Sequence, residues 1–195
     1  ILPDLLSMLA EAYPDLQPRF VEEQTQHLIT RLRNGNLDLA IMALPSEATG
    51  MVDSPLYTEK FSIVCPPDHP IAGREDVELA ELKDLDLLLL DDGHCLRDQV
   101  VDLCRHANIN PAEATNSVTR ASSLTTIMQL VMGGLGCTLV PESALATECH
   151  GKDVAVAHFA PDVTAEREVG LVFRSSAARA EEFREFGTLI TSAYN

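Results

Sequence analysis

Basic residues are scarce in this sequence beside acidic ones. Lysine and arginine together number 14 against 30 aspartates and glutamates, a formal net charge of −16 at pH 7. A surface so acidic repels phosphate, which argues against nucleic acid binding by this stretch of chain itself. Long apolar runs are lacking too. Leu87–Leu90 is strand length, and nothing approaches the ~20 residues of a membrane helix, so no membrane partner is expected. No secretory leader stands at the start. The chain opens Ile1-Leu2-Pro3 without an initiator methionine and reads as a segment excised from a longer protein. Low-complexity tracts, long linkers and internal repeats are absent. The cysteines, at positions 65, 95, 104, 137 and 149, form no even-numbered framework. In a chain large enough to need no staples, that points to a reducing cytoplasm.

What is present is an ordinary apolar content, 46% of 195 residues, arranged as alternating helices and strands. Leu2, Leu5, Leu6, Leu9 and Tyr13 repeat at helical spacing and stop before Pro14. Leu16–Val21 reads as a strand with Leu16, Pro18 and Phe20 on one side. Thr25 stands at an N-cap, Leu28, Ile29 and Leu32 form the stripe that follows, and Gly35 closes it. Asn36–Leu44 is a continuous apolar strand of the kind buried in parallel sheets. Further strands are expected at Phe61–Cys65, Leu87–Leu90, Cys137–Val140, Val154–Phe159 and Val169–Phe173. Helices are expected at Leu79–Leu85, after Cys95, at Leu124–Met132 behind Ser122-Ser123, and after Pro141. A last helix carries Phe183, Phe186, Leu189 and Ile190. Repeated βα units imply an α/β fold, with a mostly parallel sheet and helices on both faces. Two α/β lobes with a cleft between them follow, the alternative being one larger sheet.

The chemistry concentrates in Asp91–Cys104, DDGHCLRDQVVDLC. Cys95 follows an apolar strand and a glycine, where a helix should begin, and lies between His94 and Arg97. That is a setting for a reactive thiolate. Cys104 lies nine residues on. In one regular helix the two would stand ~13.5 Å apart along the axis and on opposite faces. A disulfide tolerates a Cα separation of at most ~7 Å. The pair therefore reads as a thiol–disulfide switch that requires unwinding. Plainer readings exist: Cys104 as a small buried hydrophobe, Thr25 as a simple cap, His94 as a turn residue, Arg167 as a solvated cation. Cys65, Cys137 and Cys149 read as structural. Cys95, Cys104 and His106 form C-x8-C-x-H, without the close pairs of a zinc site. His150 beside Cys149 could join such a site only through an accident of the fold. Gly133–Gly136 leads from helix into strand, the reverse of a nucleotide loop. No metal or cofactor is expected.

The order of these pieces resembles the effector-binding domain of LysR-type transcriptional regulators. The matching phrases are GNLDLAIMAL at Gly35–Leu44, DHPIA at Asp68–Ala72, Ser123–Val131, and GGLGCTLVP at Gly133–Pro141. GHCLRDQ at Gly93–Gln99, with a second cysteine nine residues after the first, is similar to the peroxide-sensing members of that family. The resemblance implies two Rossmann-like lobes joined by two crossing strands, as in periplasmic binding proteins. Lobe I would be residues 1–58 plus 167–195, and lobe II, carrying the redox cysteines, residues 59–166. It implies an N-terminal winged helix-turn-helix outside this sequence that binds DNA. A homotetramer built as a dimer of dimers, and RNA polymerase as a partner, follow from it as well. Family members open with a strand and loop ahead of the helix that here starts at Leu2.

The effector implied is hydrogen peroxide. Cys95 would be oxidised to a sulfenic acid and Cys104 would resolve it to a reversible disulfide. Thr25, His94, Gln99 and Arg167 would bind the peroxide and stabilise the departing hydroxide. The role is regulatory and stoichiometric rather than enzymatic, in the cytoplasm, and governs oxidative-stress genes. Two other readings stand beside it: a small organic effector held in the inter-lobe cleft, with incidental cysteines, and a thiol peroxidase.

Overall fold

The computed structural model describes residues 2–110 and 115–194, the side chains of residues 115–120 excepted. The chain divides into two compact units, Ile1–Thr58 with Glu168–Asn195, and Glu59–Arg167. Two strands pass from one unit to the other: β2, Met51–Cys65, and β7, Glu166–Arg174.

In the first unit, helix α1 (Leu2–Ala12) buries Leu5 and Leu9 and ends where Pro14 removes the next donor. Its apolar stripe joins Leu171 and Phe173 of β7 and Phe183 and Ile190 of α6 (Ala180–Tyr194) in one core. On the other side, α2 (Thr25–Arg33) packs Ile29 and Leu32 against Ala40 and Met42 of β1 (Leu39–Ala43) and Val172. Gly35, at φ 73°, closes α2 as expected of a glycine past a helix end. β1 pairs with β7 antiparallel, from Leu39↔Phe173 to Ala43↔Val169.

In the second unit, period-two alternation distributes side chains between two cores. Leu87 and Leu89 of β3 (Leu87–Leu90) pack with Val100, Val101, Leu103 and Cys104 of α3 (Cys95–His106). Leu88 and Leu90 face the opposite way, onto Ile127, Met128 and Val131 of α4 (Leu124–Met132). Helices thus cover both faces, as expected. α4 starts at Ser123, whose hydroxyl accepts from the Thr126 amide at 3.3 Å. β4 (Thr115–Ala121) pairs with β3 in parallel. The second half of β2 pairs antiparallel with β5 (Thr138–Pro141) and with β6 (Ala155–His158). A short helix, α5 (Glu142–Glu148), follows β5.

Several expectations are corrected. The ladders of the two crossing strands with β1, β5 and β6 are antiparallel rather than parallel, because each crossing strand meets neighbours that run against it. The separate β3–β4 pair is parallel. β2 begins at Met51, ten residues before the expected Phe61. β4 was not anticipated. Leu16–Val21 forms no ladder: a strand needs a partner, and no described strand pairs with this segment. Leu16, Phe20 and Val21 remain 43%, 51% and 42% exposed. With Ile41, itself 40% exposed on a strand expected to be buried throughout, they line a groove of about 750 Å³. Thr25 is the first helical residue, and Gln24 holds the N-cap position.

The turn into β5 imposes the tightest backbone requirement. A Cβ on Gly136, at φ +151°, would lie 2.2 Å from the Asp86 carbonyl oxygen, whereas one on Gly134, at φ +76°, meets open space. Gly134→Ala should cost about 1–2 kcal/mol, the penalty of left-handed backbone alone. Gly136→Ala should cost clearly more in urea denaturation; equal losses would contradict this reading of the turn.

Candidate functional site

The residues singled out in the sequence gather around α3. Leu87–Leu90 ends the buried strand, Gly93 turns at φ 93°, and His94 takes the extended conformation of an N-cap at φ −90°, ψ 123°. Its carbonyl accepts from the Arg97 amide at 3.0 Å, while its imidazole makes no capping bond. Cys95 is therefore the first residue of the helix, and it is half-buried. Arg97, two residues on in the same turn, is engaged by carboxylates: Asp92 at 2.8 Å and Asp98 at 3.4 Å. Its charge is shared with those partners rather than reserved for the thiol.

Helix α3 runs unbroken from Cys95 to His106 and contains both cysteines. Their axial separation is consequently ~13.5 Å, twice what a disulfide spans. Cys104 is completely buried among Leu87, Leu89, Val100 and Leu103, in the same core as Cys65 and Cys137. Burial pushes its thiol pKa up. Desolvation also raises Cys65, raises Cys149, and pushes Cys137 up to about 12, the last helped by the neighbouring Cys65 and Asp86. His106 Nδ1 lies 2.8 Å from the Asp102 carbonyl, within its own helix. Among the described residues no group of three or more acidic, histidine or cysteine side chains suits a metal ion.

One helical turn beyond Cys95, on the same face, stands Gln99. Its Oε1 accepts from Arg167 Nη1 at 3.4 Å. Arg167 is in turn paired with Glu59, through Nε at 2.8 Å and Nη2 at 2.6 Å on the same carboxylate oxygen. Its guanidinium also lies over the Phe61 ring, 5.9 Å from the centroid. The structure thus joins Gln99 and Arg167 beside the Cys95 end of α3. Thr25 belongs to the first unit, where it is half-buried at the start of α2. Glu59 escaped the sequence reading, since a lone glutamate in the polar run Thr58–Lys60 carries no signal.

Burial ranks the five thiols. Timed alkylation of the reduced protein should modify Cys95 and Cys149 first, with Cys65, Cys104 and Cys137, each 0% exposed, reacting only on opening. Raising the pH above 9 should not reverse that order, because burial blocks access to the latter three thiols and raises their pKa. Peptide mass spectrometry that found Cys104 labelled together with Cys95 would contradict the packing of α3.

Comparison with known proteins gives a consistent answer. Residues 1–194 match the LysR substrate binding domain. A probable hydrogen peroxide-inducible genes activator of Mycobacterium avium is 47% identical over 190 residues, covering 97% of this chain and 60% of the relative. The DNA-binding transcriptional dual regulator OxyR of Escherichia coli is 35% identical over 192 residues, covering 97% and 61%. Among solved structures, a cysteine-to-serine mutant of Corynebacterium glutamicum OxyR with hydrogen peroxide bound superposes with a TM-score of 0.96. It is 59% identical, over 99% of this chain and 60% of that one. A reduced form of OxyR superposes with a TM-score of 0.85 at 32% identity, over 100% and 89%. The chain spans about 60% of the length of the curated relatives it matches. With its two α/β lobes joined by two crossing strands, the chain belongs to the family of LysR substrate binding domains.

Proposed function

We propose that this chain is the hydrogen-peroxide-sensing regulatory domain of a LysR-type transcription factor of the OxyR kind. The observation that carries the reading is α3: one unbroken helix holds a half-exposed Cys95 and a buried Cys104 too far apart to bond. The likeness to a peroxide-bound OxyR mutant supports the choice of effector.

The Cys95 thiolate attacks one peroxide oxygen, and the O–O bond breaks. The departing hydroxide takes up a proton to become water, and the sulfur is oxidised by two electrons to the sulfenic acid. Cys104 then attacks that sulfur, an S–S bond forms, the S–O bond breaks, and a second water leaves. His94, Gln99 and Arg167 supply donors to the peroxide and to the hydroxide as it forms, and Thr25 adds a hydroxyl by resemblance. Ionisation alone gains roughly thirtyfold over an ordinary thiol at neutral pH, so most of a sensor's rate must come from such donors. The second step requires α3 to unwind. Val100, Val101 and Leu103 then leave the core at roughly 1.5–3 kcal/mol for each fully buried side chain. The bridge formed against that cost should be reducible by cellular thiols.

The domain acts stoichiometrically, without enzymatic turnover, in the cytoplasm. By resemblance the lobes are residues 1–58 plus 167–195 and residues 59–166, one residue from the division between Arg167 and Glu168 that the two compact units give. A winged helix-turn-helix elsewhere in the protein binds DNA, the assembly is a dimer of dimers, and RNA polymerase reads the rearrangement. The groove lined by Phe20 and Ile41 has room for the strand that family members carry ahead of the first helix.

One equivalent of peroxide should convert reduced protein to a Cys95–Cys104 bridge that dithiothreitol reverses, mapped by non-reducing peptide mass spectrometry. Free thiols at both positions would turn attention to a small organic effector, which should act equally on Cys95→Ser. Consumption of many equivalents in the presence of a reductant would mean a peroxidase instead. Thr25→Val should slow the oxidation by about a hundredfold, the lower end for losing one such donor, at an unchanged thermal midpoint. Slowing that merely followed lost stability would reduce Thr25 to a helix-end residue.

A further inference from the structure

Among the described residues Glu59 is the one buried carboxylate of the second unit, and the peroxide chemistry does not use it directly. Its side chain is 0% exposed, and both of its oxygens are occupied. Oε1 accepts from Arg167 Nε and Nη2, at 2.8 and 2.6 Å, and Oε2 accepts from the Ser143 amide at 3.1 Å. It lies within β2, opposite an arginine that has just entered β7, and the two are the first and last residues of the unit. Replacing a buried ion pair by apolar residues is often neutral or stabilising, so the pair is weak evidence of a role in stability. What it does fix is direction. One edge of the Arg167 guanidinium is held by Glu59 and one face lies over Phe61, leaving Nη1 turned to Gln99. With Oε1 of Gln99 accepting from Nη1, the amide's N–H groups are presented away from the arginine, as donors.

We infer that Glu59 is a positioning residue for peroxide reduction: it acts through Arg167 and Gln99 to hold their donors beside Cys95. This rests on the peroxide-sensing reading above. A carboxylate suits the task because it receives two N–H groups on one charged oxygen, a stronger and more directional hold than a neutral partner gives. Glu59→Gln keeps the shape but loses the charge, and its single oxygen can no longer accept from both Arg167 and the Ser143 amide.

The test is a cycle of E59Q, Arg167→Gln and the double variant. Each is measured for the rate of Cys95 oxidation by hydrogen peroxide and for alkylation of Cys95 by iodoacetamide, which needs the thiolate but no peroxide donors. Misplaced donors should make E59Q about tenfold slower with peroxide, with alkylation changed less than twofold. The double variant should be no slower than Arg167→Gln alone, because Glu59 has nothing to act through once Arg167 is gone. A wild-type peroxide rate in E59Q overturns the inference. So does an equal fall in both reactions, or a double variant slowed by the product of the two single effects. Should E59Q fail to fold, the double variant against Arg167→Gln decides by the same criterion. Wild-type protein that forms no Cys95–Cys104 bridge overturns the peroxide reading and this inference with it. A normal wild type beside an indifferent E59Q overturns the inference alone.

Discussion

The fixed rise of an α-helix is the constraint on which the rest of this structure turns. Nine residues of α3 separate the thiols of Cys95 and Cys104 by ~13.5 Å, and no rotamer change closes such a gap. The packed helix and the disulfide therefore exclude each other. What holds the chain in the first state is the apolar face of α3, where Val100, Val101, Leu103 and Cys104 are all buried against β3 and its neighbours. On the proposed reading, oxidation would supply the free energy to abandon that packing, and reduction would let the helix re-form. A switch with two discrete states follows from geometry and core packing together, without a separate moving part.

The same packing arranges the thiols by reactivity. Cys65, Cys104 and Cys137 lie in one core, where desolvation raises each pKa. Cys95, outside that core, stands at a helix start with the partly buried Gln99–Arg167–Glu59 network one turn away. The network is anchored where β2 and β7 cross into the second unit, through the Glu59–Arg167 pair. Its donors reach the α3 face through Gln99, which lies inside the segment that must unwind. Forming the bridge would thus dismantle the donor arrangement that produced it.

Much of this was legible in the sequence, and the failures have physical causes. The Leu5–Leu9 stripe, Ser123 as a cap, Gly35 as a helix stop and the Leu87–Leu90 strand depend on local rules and were read correctly. Leu16–Val21 was misread because β character depends on a partner that local pattern does not reveal. The first half of β2 was hidden by Asp53-Ser54-Pro55, which resembles a turn, and the antiparallel neighbours of β2 come from distant parts of the chain. Cys95 and Gln99 were singled out through the GHCLRDQ motif, and Cys104 through its spacing from it, rather than through any property of the single residues. Glu59 could not be found that way, because its significance arises only when residue 167 is brought to it across the fold.

Hydrogen–deuterium exchange across residues 95–106, before and after one equivalent of peroxide, tests the central claim most directly. The account predicts amides of α3 that are protected in the reduced protein, exchange freely once the Cys95–Cys104 bridge has formed, and regain protection on reduction. A bridge that formed while the same amides kept their protection would contradict it, since no intact helix can carry that bond.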